Sequence, residues 1–266
     1  MMLVMRRYLL LVLLAMTPGW ASAQGVTLAS HKAVYELRMA STRPGSGIGG
    51  YEGRMALEWV DTCLGYVTRQ RLVSRLFNSE GGEVSTDLTI NMWESPEGKE
   101  FRFKSKTLTD GDPSEEVDGK AETGGGAPAF ARFTKPEGQE VDLPEGVIFP
   151  TEHSKLLIKA ARGGEDTVPA VVFDGSGPDK VFQIVAFVSR PLAPDRAERP
   201  ELRGHASWRF RMAYFPVRSA DRSPEYEIGY RMYDNGIATD LEIDYGDFSV
   251  KGTLSSLEVL PKSDCR

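Results

Sequence analysis

Between His31 and Val259 apolar and polar residues alternate with a period of two in run after run, and the habit is broken convincingly only at Leu143–Gly164. Period-two alternation marks strands with one buried and one solvated face. A chain built almost wholly of such runs must dispose of its strand edges, and an antiparallel barrel or a sandwich-like sheet does so. Strands are expected at His31–Ala40, Tyr51–Val60, Tyr66–Ser74, Val84–Trp93, Glu100–Thr107 and Phe130–Phe133. Further strands follow at Val168–Asp174, Lys180–Val188, His205–Tyr214, Glu225–Asp234, Ile237–Ile243 and Phe248–Val259. Thr42–Gly50 is too rich in glycine for regular structure and reads as a mobile loop, and Thr109–Pro128 as short strand material at most. Asn235-Gly236 predicts a type I′ hairpin turn. Pro191–Pro200 is a proline-punctuated connector.

The interruption reads as a helix. Leu143-Pro144-Glu145-Gly146 is turn chemistry, and Phe149-Pro150 stops any strand. Thr151 is the expected N-cap, with Glu152 favourably placed near the positive end of the helix dipole. Leu156, Leu157 and Ala160 form an apolar stripe, while Lys155 and Lys159 lie on another face. Gly163 stands where a left-handed C-terminal residue is wanted. One helix among about a dozen strands belongs against the sheet.

The N-terminal residues are a targeting signal. Arg6 and Arg7 precede a short apolar run, Pro18-Gly19 ends it, and Ala21-Ser22-Ala23 is a signal-peptidase site. Residues 1–23 are therefore expected to be removed on Sec export, leaving one domain over 24–266 with no membrane span of its own. The chain carries a formal charge of −6, more acidic still without those two arginines. That balance argues against nucleic acid and anionic lipid surfaces as partners. Arg209 and Arg211 alternate with Trp208, Phe210 and Met212, as a solvated strand face does. The only cysteines, Cys63 and Cys265, both fall in the exported part, where a pair so far apart reads as a structural disulfide. On the chain-entropy model a loop of that length is worth about 5 kcal/mol.

Several motifs together resemble a known family. They are His31-Lys32-Ala33-x-Tyr35, Trp59-x-Asp61-x-Cys63-x-Gly65, and Trp93-Glu94-Ser95-x-x-Gly98-x-x-Phe101-x-Phe103. Phe149-Pro150-Thr151-x-His153, Phe173-Asp174-Gly175-Ser176 and Asp244-Tyr245-x-Asp247-Phe248 continue the series. In this order they resemble the cell envelope integrity EipB family of Gram-negative bacteria, once known only as a domain of unknown function. The resemblance implies a periplasmic protein that supports the envelope. It implies a mainly β fold, a single curled antiparallel sheet (a β-spiral, open and barrel-like) around one central α-helix, with a disulfide at Cys63 and Cys265. It brings no catalytic residues.

The residues themselves agree on the last point. There is no Gly-x-Ser-x-Gly elbow and no Ser-x-x-Lys pair. His31, His153 and His205 show no ligand spacing for a metal, and no cofactor motif is present. An unrecognised hydrolase would have to assemble His153 with Asp174 and Ser176 in space. The preferred reading is non-catalytic: a helix in a curled sheet leaves an apolar pocket for a lipid, lipopeptide or other amphipathic ligand, or for an envelope partner. Its candidate lining and anchoring residues are His153, Leu156, Leu157, Trp59 and Trp93, with His153 fixing the helix to neighbouring backbone. The alternative is an adaptor that docks another envelope protein on a free sheet edge.

Overall fold

The computed structural model describes residues 25–265 apart from 125–127, 195–198 and 221, so the expected leader at 1–23 lies outside the described residues. Fourteen strands are present among the described residues. The first eight are β1 (His31–Thr42), β2 (Ile48–Asp61), β3 (Tyr66–Asn78), β4 (Glu83–Glu94), β5 (Glu100–Thr109), β6 (Asp112–Glu122), β7 (Phe130–Lys135) and β8 (Glu140–Asp142). Helix α1 (Pro150–Gly163) follows. The chain then continues through β9 (Thr167–Phe173), β10 (Val181–Val188), β11 (Ser207–Pro216), β12 (Tyr226–Tyr233), β13 (Ala238–Asp244) and β14 (Phe248–Val259).

All fourteen form one antiparallel sheet in the order β8-β7-β6-β5-β4-β3-β2-β1-β14-β13-β12-β11-β10-β9. Two meanders, β1–β8 and β9–β14, are thus fused along the β1–β14 ladder, which runs from His31 opposite Val259 to Thr42 opposite Phe248. The expected single curled sheet is found, and it is open: β8 and β9 are its edges, and α1 lies in the chain between them.

The curl brings one end of the sheet over the other. Phe173 of β9 meets the rings of Phe101, Phe103 and Phe133 edge-on, at centroid distances of 6.2, 5.4 and 6.3 Å. These inward residues of β5 and β7 form a core with Val117, Ala131 and Phe149. Gly175, at φ +73°, is packed so tightly that a Cβ there would come within 2.5 Å of the Phe103 ring. On the other face of β9, Val168 and Val172 join Leu157, Ile158, Ala160 and Ala161 of α1 in a second core with Ile184 and Phe210.

Both edges are engaged. Ile148 donates to Val171 O at 2.9 Å and accepts from Phe173 N at 3.1 Å, adding a bridge to β9. Pro169 shares the outward parity of Val171 and Phe173, so the proline removes a donor from the free side of that edge. At β8, Arg218 donates to Asp142 O at 3.0 Å from the far end of β11.

Four local expectations are corrected. Thr109–Pro128 contains the full strand β6: its glycines and acids lower strand propensity, but ladders to β5 and β7 on both sides override it. Gly119, one of the glycines behind the loop reading, lets Phe103 pass, since a Cβ there would be 2.8 Å from the ring. The Gly-rich loop after β1 is shorter than expected, because β2 begins at Ile48. At the Asn235-Gly236 turn only Gly236 has positive φ, and Gly236 N bonds Tyr233 O, a turn with a left-handed glycine rather than type I′. The helix starts two residues earlier than expected, with Phe149 as its N-cap and Pro150 in its first turn, and Gly164, at φ +79°, is the left-handed terminator in place of Gly163.

Cys63, in the β2–β3 turn, and Cys265, in the tail after β14, are joined with their Cα atoms 5.5 Å apart. Because β1 lies between β2 and β14, this link straddles the seam between the meanders rather than the edges of the curl. Replacing both cysteines by serine is expected to cost about 2–5 kcal/mol. Urea denaturation should show that loss in the variant, with reductant having no further effect on it.

Candidate functional site

The first amides of a helix have no partner within it. In α1 they meet a carboxylate from another strand: Glu94, the last residue of β4 and 2% exposed, accepts from Thr151 N–H at 2.8 and 3.1 Å through its two oxygens. Thr151 is therefore capped rather than capping. Burial pushes the Glu94 carboxyl up to about 7, against the bonds to Thr151, which pull it down. One turn along, burial alone lowers the His153 imidazole to about 4. Its Nε2 is buried with no hydrogen-bond partner, so the expected polar anchor at His153 is supplied by Glu94 instead.

Beside this cap, Lys155 Nζ donates to Glu152 at 2.7 Å and to the Tyr66 hydroxyl at 3.0 Å, and lies 4.1 Å from the Tyr66 ring centroid. Tyr66 in turn stacks on Trp59 at 5.4 Å. Between this cluster and β1 is a cavity of about 200 Å³ whose walls include His31, Tyr35, Leu57, Trp59, Thr68 and Thr151.

The concave face continues beyond the cavity. Met55, Leu72 and Leu88 lie in one cross-strand row, and Leu57, Gln70 and Ile90 in the next. All are only half-buried. The convex face of the same strands carries ion pairs instead, Arg38–Glu52 at 2.9 Å, Arg69–Glu58 at 2.7 Å and Arg71–Asp87 at 2.7 Å. Such exposed pairs add little stability but keep a face solvated.

Of the five pocket or anchor candidates read from the sequence (His153, Leu156, Leu157, Trp59 and Trp93), Trp59 alone lines the cavity. Leu157 is fully buried in the core under α1, and Leu156 packs against that core half-buried. Trp93 points to the convex face, where the Arg102 guanidinium sits 4.8 Å from its ring. Asp174 and Ser176 bond each other, with Ser176 N and Oγ donating to Asp174 Oδ1 at 2.9 and 2.6 Å, and His153 joins neither. Among the described residues no three His, Cys, Asp or Glu side chains gather as a metal site. No helix among them is long and apolar enough to cross a membrane. Glu94 went unnoticed because Trp93–Gly98 reads as a turn; the available signal was its parity with the inward Met92 and Ile90, which places an acid on the apolar face.

A family model described as EipB-like matches residues 22–261. The chain is 35% identical over 247 residues to the cell envelope integrity protein EipB of Brucella abortus (strain 2308), covering 90% of this chain and 87% of that one. Among solved structures it is similar to a beta-barrel-like protein of a domain of unknown function from Brucella abortus. The TM-score is 0.81 at 34% identity, over 89% of this chain and 100% of that chain.

Glu94 and His153 give opposite pH dependences. Glu94, raised from 4.5 to about 7, contributes stability that is complete below 4.5 and lost as pH rises through about 7. His153, lowered from 6.5 to about 4, contributes stability that is present above 6.5 and lost as pH falls through about 4. Between 4.5 and 6.5 the two oppose each other. Relative to the parent protein, Glu94→Gln should then gain stability with rising pH, and His153→Phe should lose it, each by up to about 1.4 kcal/mol per pH unit. Urea melts across that range check both signs.

Proposed function

The chain belongs to the EipB-like family, and from that premise we infer that it serves the integrity of a bacterial cell envelope. On this reading it is exported by its leader, cleaved near Ala23, and works in the periplasm as a single domain over 24–266. It acts by binding rather than by catalysis, holding an apolar or amphipathic molecule such as a lipid or lipopeptide against the concave face of its sheet.

One observation carries the reading. Met55, Leu57, Leu72, Leu88 and Ile90 stay half-buried on the concave face, while the opposite face of the same strands is laced with ion pairs. Apolar area left partly wet inside a curl is area a ligand can dry, at about 25 cal/mol per Å². The hydrolase reading has no support in the placement of His153, whose Nε2 reaches no serine or acid. Docking of a partner by strand addition is disfavoured by Ile148 and Pro169 at β9 and by Arg218 at β8.

The test is native mass spectrometry of protein released gently from the periplasm. Retained lipid mass is expected on the parent protein and should be absent from Leu72→Glu/Leu88→Glu, which sets charge in the trough. The same variant should fail to restore detergent resistance to a deletion strain. Parent protein that carries no lipid and displaces no apolar dye would overturn the binding mode.

A further inference from the structure

The cavity at the start of α1 is lined by a polar atom that has no hydrogen-bond partner among the described residues. His31 is 5% exposed, and its Nδ1 lies 2.7 Å from Ala29 O. A carbonyl oxygen only accepts, so Nδ1 carries the proton and Nε2 is left as a bare acceptor. Burial lowers this imidazole and favours its neutral form, against the bond to Ala29. Among the described residues Nε2 has no hydrogen-bond partner, although the ring lines the cavity. Nε2 is not among the buried atoms sealed from solvent, so it opens on the cavity, where an occupant can bond it.

The other polar walls narrow the choice of occupant. Tyr35 Oη is committed to Ala238 O at 2.8 Å, and Ser154 Oγ to Pro150 O at 3.0 Å. The Thr151 amide and hydroxyl are engaged with Glu94. Thr68 has no partner for its hydroxyl among the described residues and can both donate and accept. No Asp, Glu, Lys or Arg lines the cavity. A charged group would therefore enter without a counter-charge, at a high desolvation cost. At about 200 Å³ the space exceeds what one water needs. Leu57 belongs both to this cavity and to the half-buried apolar rows of the concave face.

We propose that the cavity receives the neutral hydroxyl head of an amphiphile, which donates to His31 Nε2 while its apolar chain runs past Leu57 toward Met55 and Leu72. The assignment rests on the ligand-binding reading above and gives that ligand a polarity and a direction. A free fatty acid, ionised at neutral pH, fits worse than an alcohol of the same length. An ether of that length loses the donor.

The experiment is displacement of the neutral dye N-phenyl-1-naphthylamine from the disulfide-bonded protein at pH 7.5 by 1-decanol, methyl decyl ether and decanoate. One neutral hydrogen bond supports a preference for the alcohol on the order of five- to tenfold. His31→Asn keeps a donor for Ala29 O but offers no acceptor at the Nε2 position, and should bring the alcohol down to the level of the ether. His31→Phe keeps a ring in place and removes the acceptor, and should do the same, so the test does not depend on His31→Asn folding. Equal displacement by all three probes, or a preference that survives both substitutions, overturns the headgroup assignment and leaves apolar binding intact. Failure of the dye and of every probe to bind overturns both.

Discussion

The ladder between β1 and β14 is the bond on which the whole architecture depends. Without it the chain is two antiparallel meanders, each with an open edge on either side. With it they become one fourteen-stranded sheet, wide enough that strand twist carries its ends past one another. Phe173 then reaches Phe101, Phe103 and Phe133, and those aromatic contacts convert an open sheet into a curl with an inside. The Cys63–Cys265 link acts on this seam. It ties the tail of the last strand across the first, where separation would unmake both halves together.

The curl also explains the position of the helix. Since β8 and β9 are opposite edges of the sheet, the segment joining them must traverse the interior. The helix satisfies its own backbone over most of that crossing, leaving its first amides as the difficulty. Glu94 resolves it with a buried carboxylate, an arrangement that opposes desolvation to hydrogen bonding and leaves the carboxyl titrating near neutrality. The neutral His153 beside it fills space among apolar groups.

The two sheet faces serve different purposes. Charge pairs on the convex side keep the strands soluble and contribute little to folding. The concave side is a finished core only where the helix and the overlapping end cover it. Elsewhere its apolar rows remain half-wet, and at their boundary with the helix sits the cavity beside His31. An amphiphile with its head in the cavity and its chain along the rows would match both chemistries at once.

Much of the fold was legible in the order of residues. Period-two alternation located twelve of the strands, and the stripe at Leu156, Leu157 and Ala160 located helix α1, because both depend on local side-chain direction. The compact motifs from His31 to Phe248 pointed to the family. Tertiary contact decided the rest. Gly119 reads as a loop residue until Phe103 is seen to cross it, and Trp93 reads as a pocket wall until its parity puts it outside with Arg102. Glu94 gains its role only when strand β4 meets the start of a helix 57 residues away, and His31 only when Ala29 fixes its tautomer above a cavity. Backbone periodicity is a short-range property that a sequence displays directly. Which polar atom is left without a partner depends on everything packed around it, and that is known only once the sheet has closed on the helix.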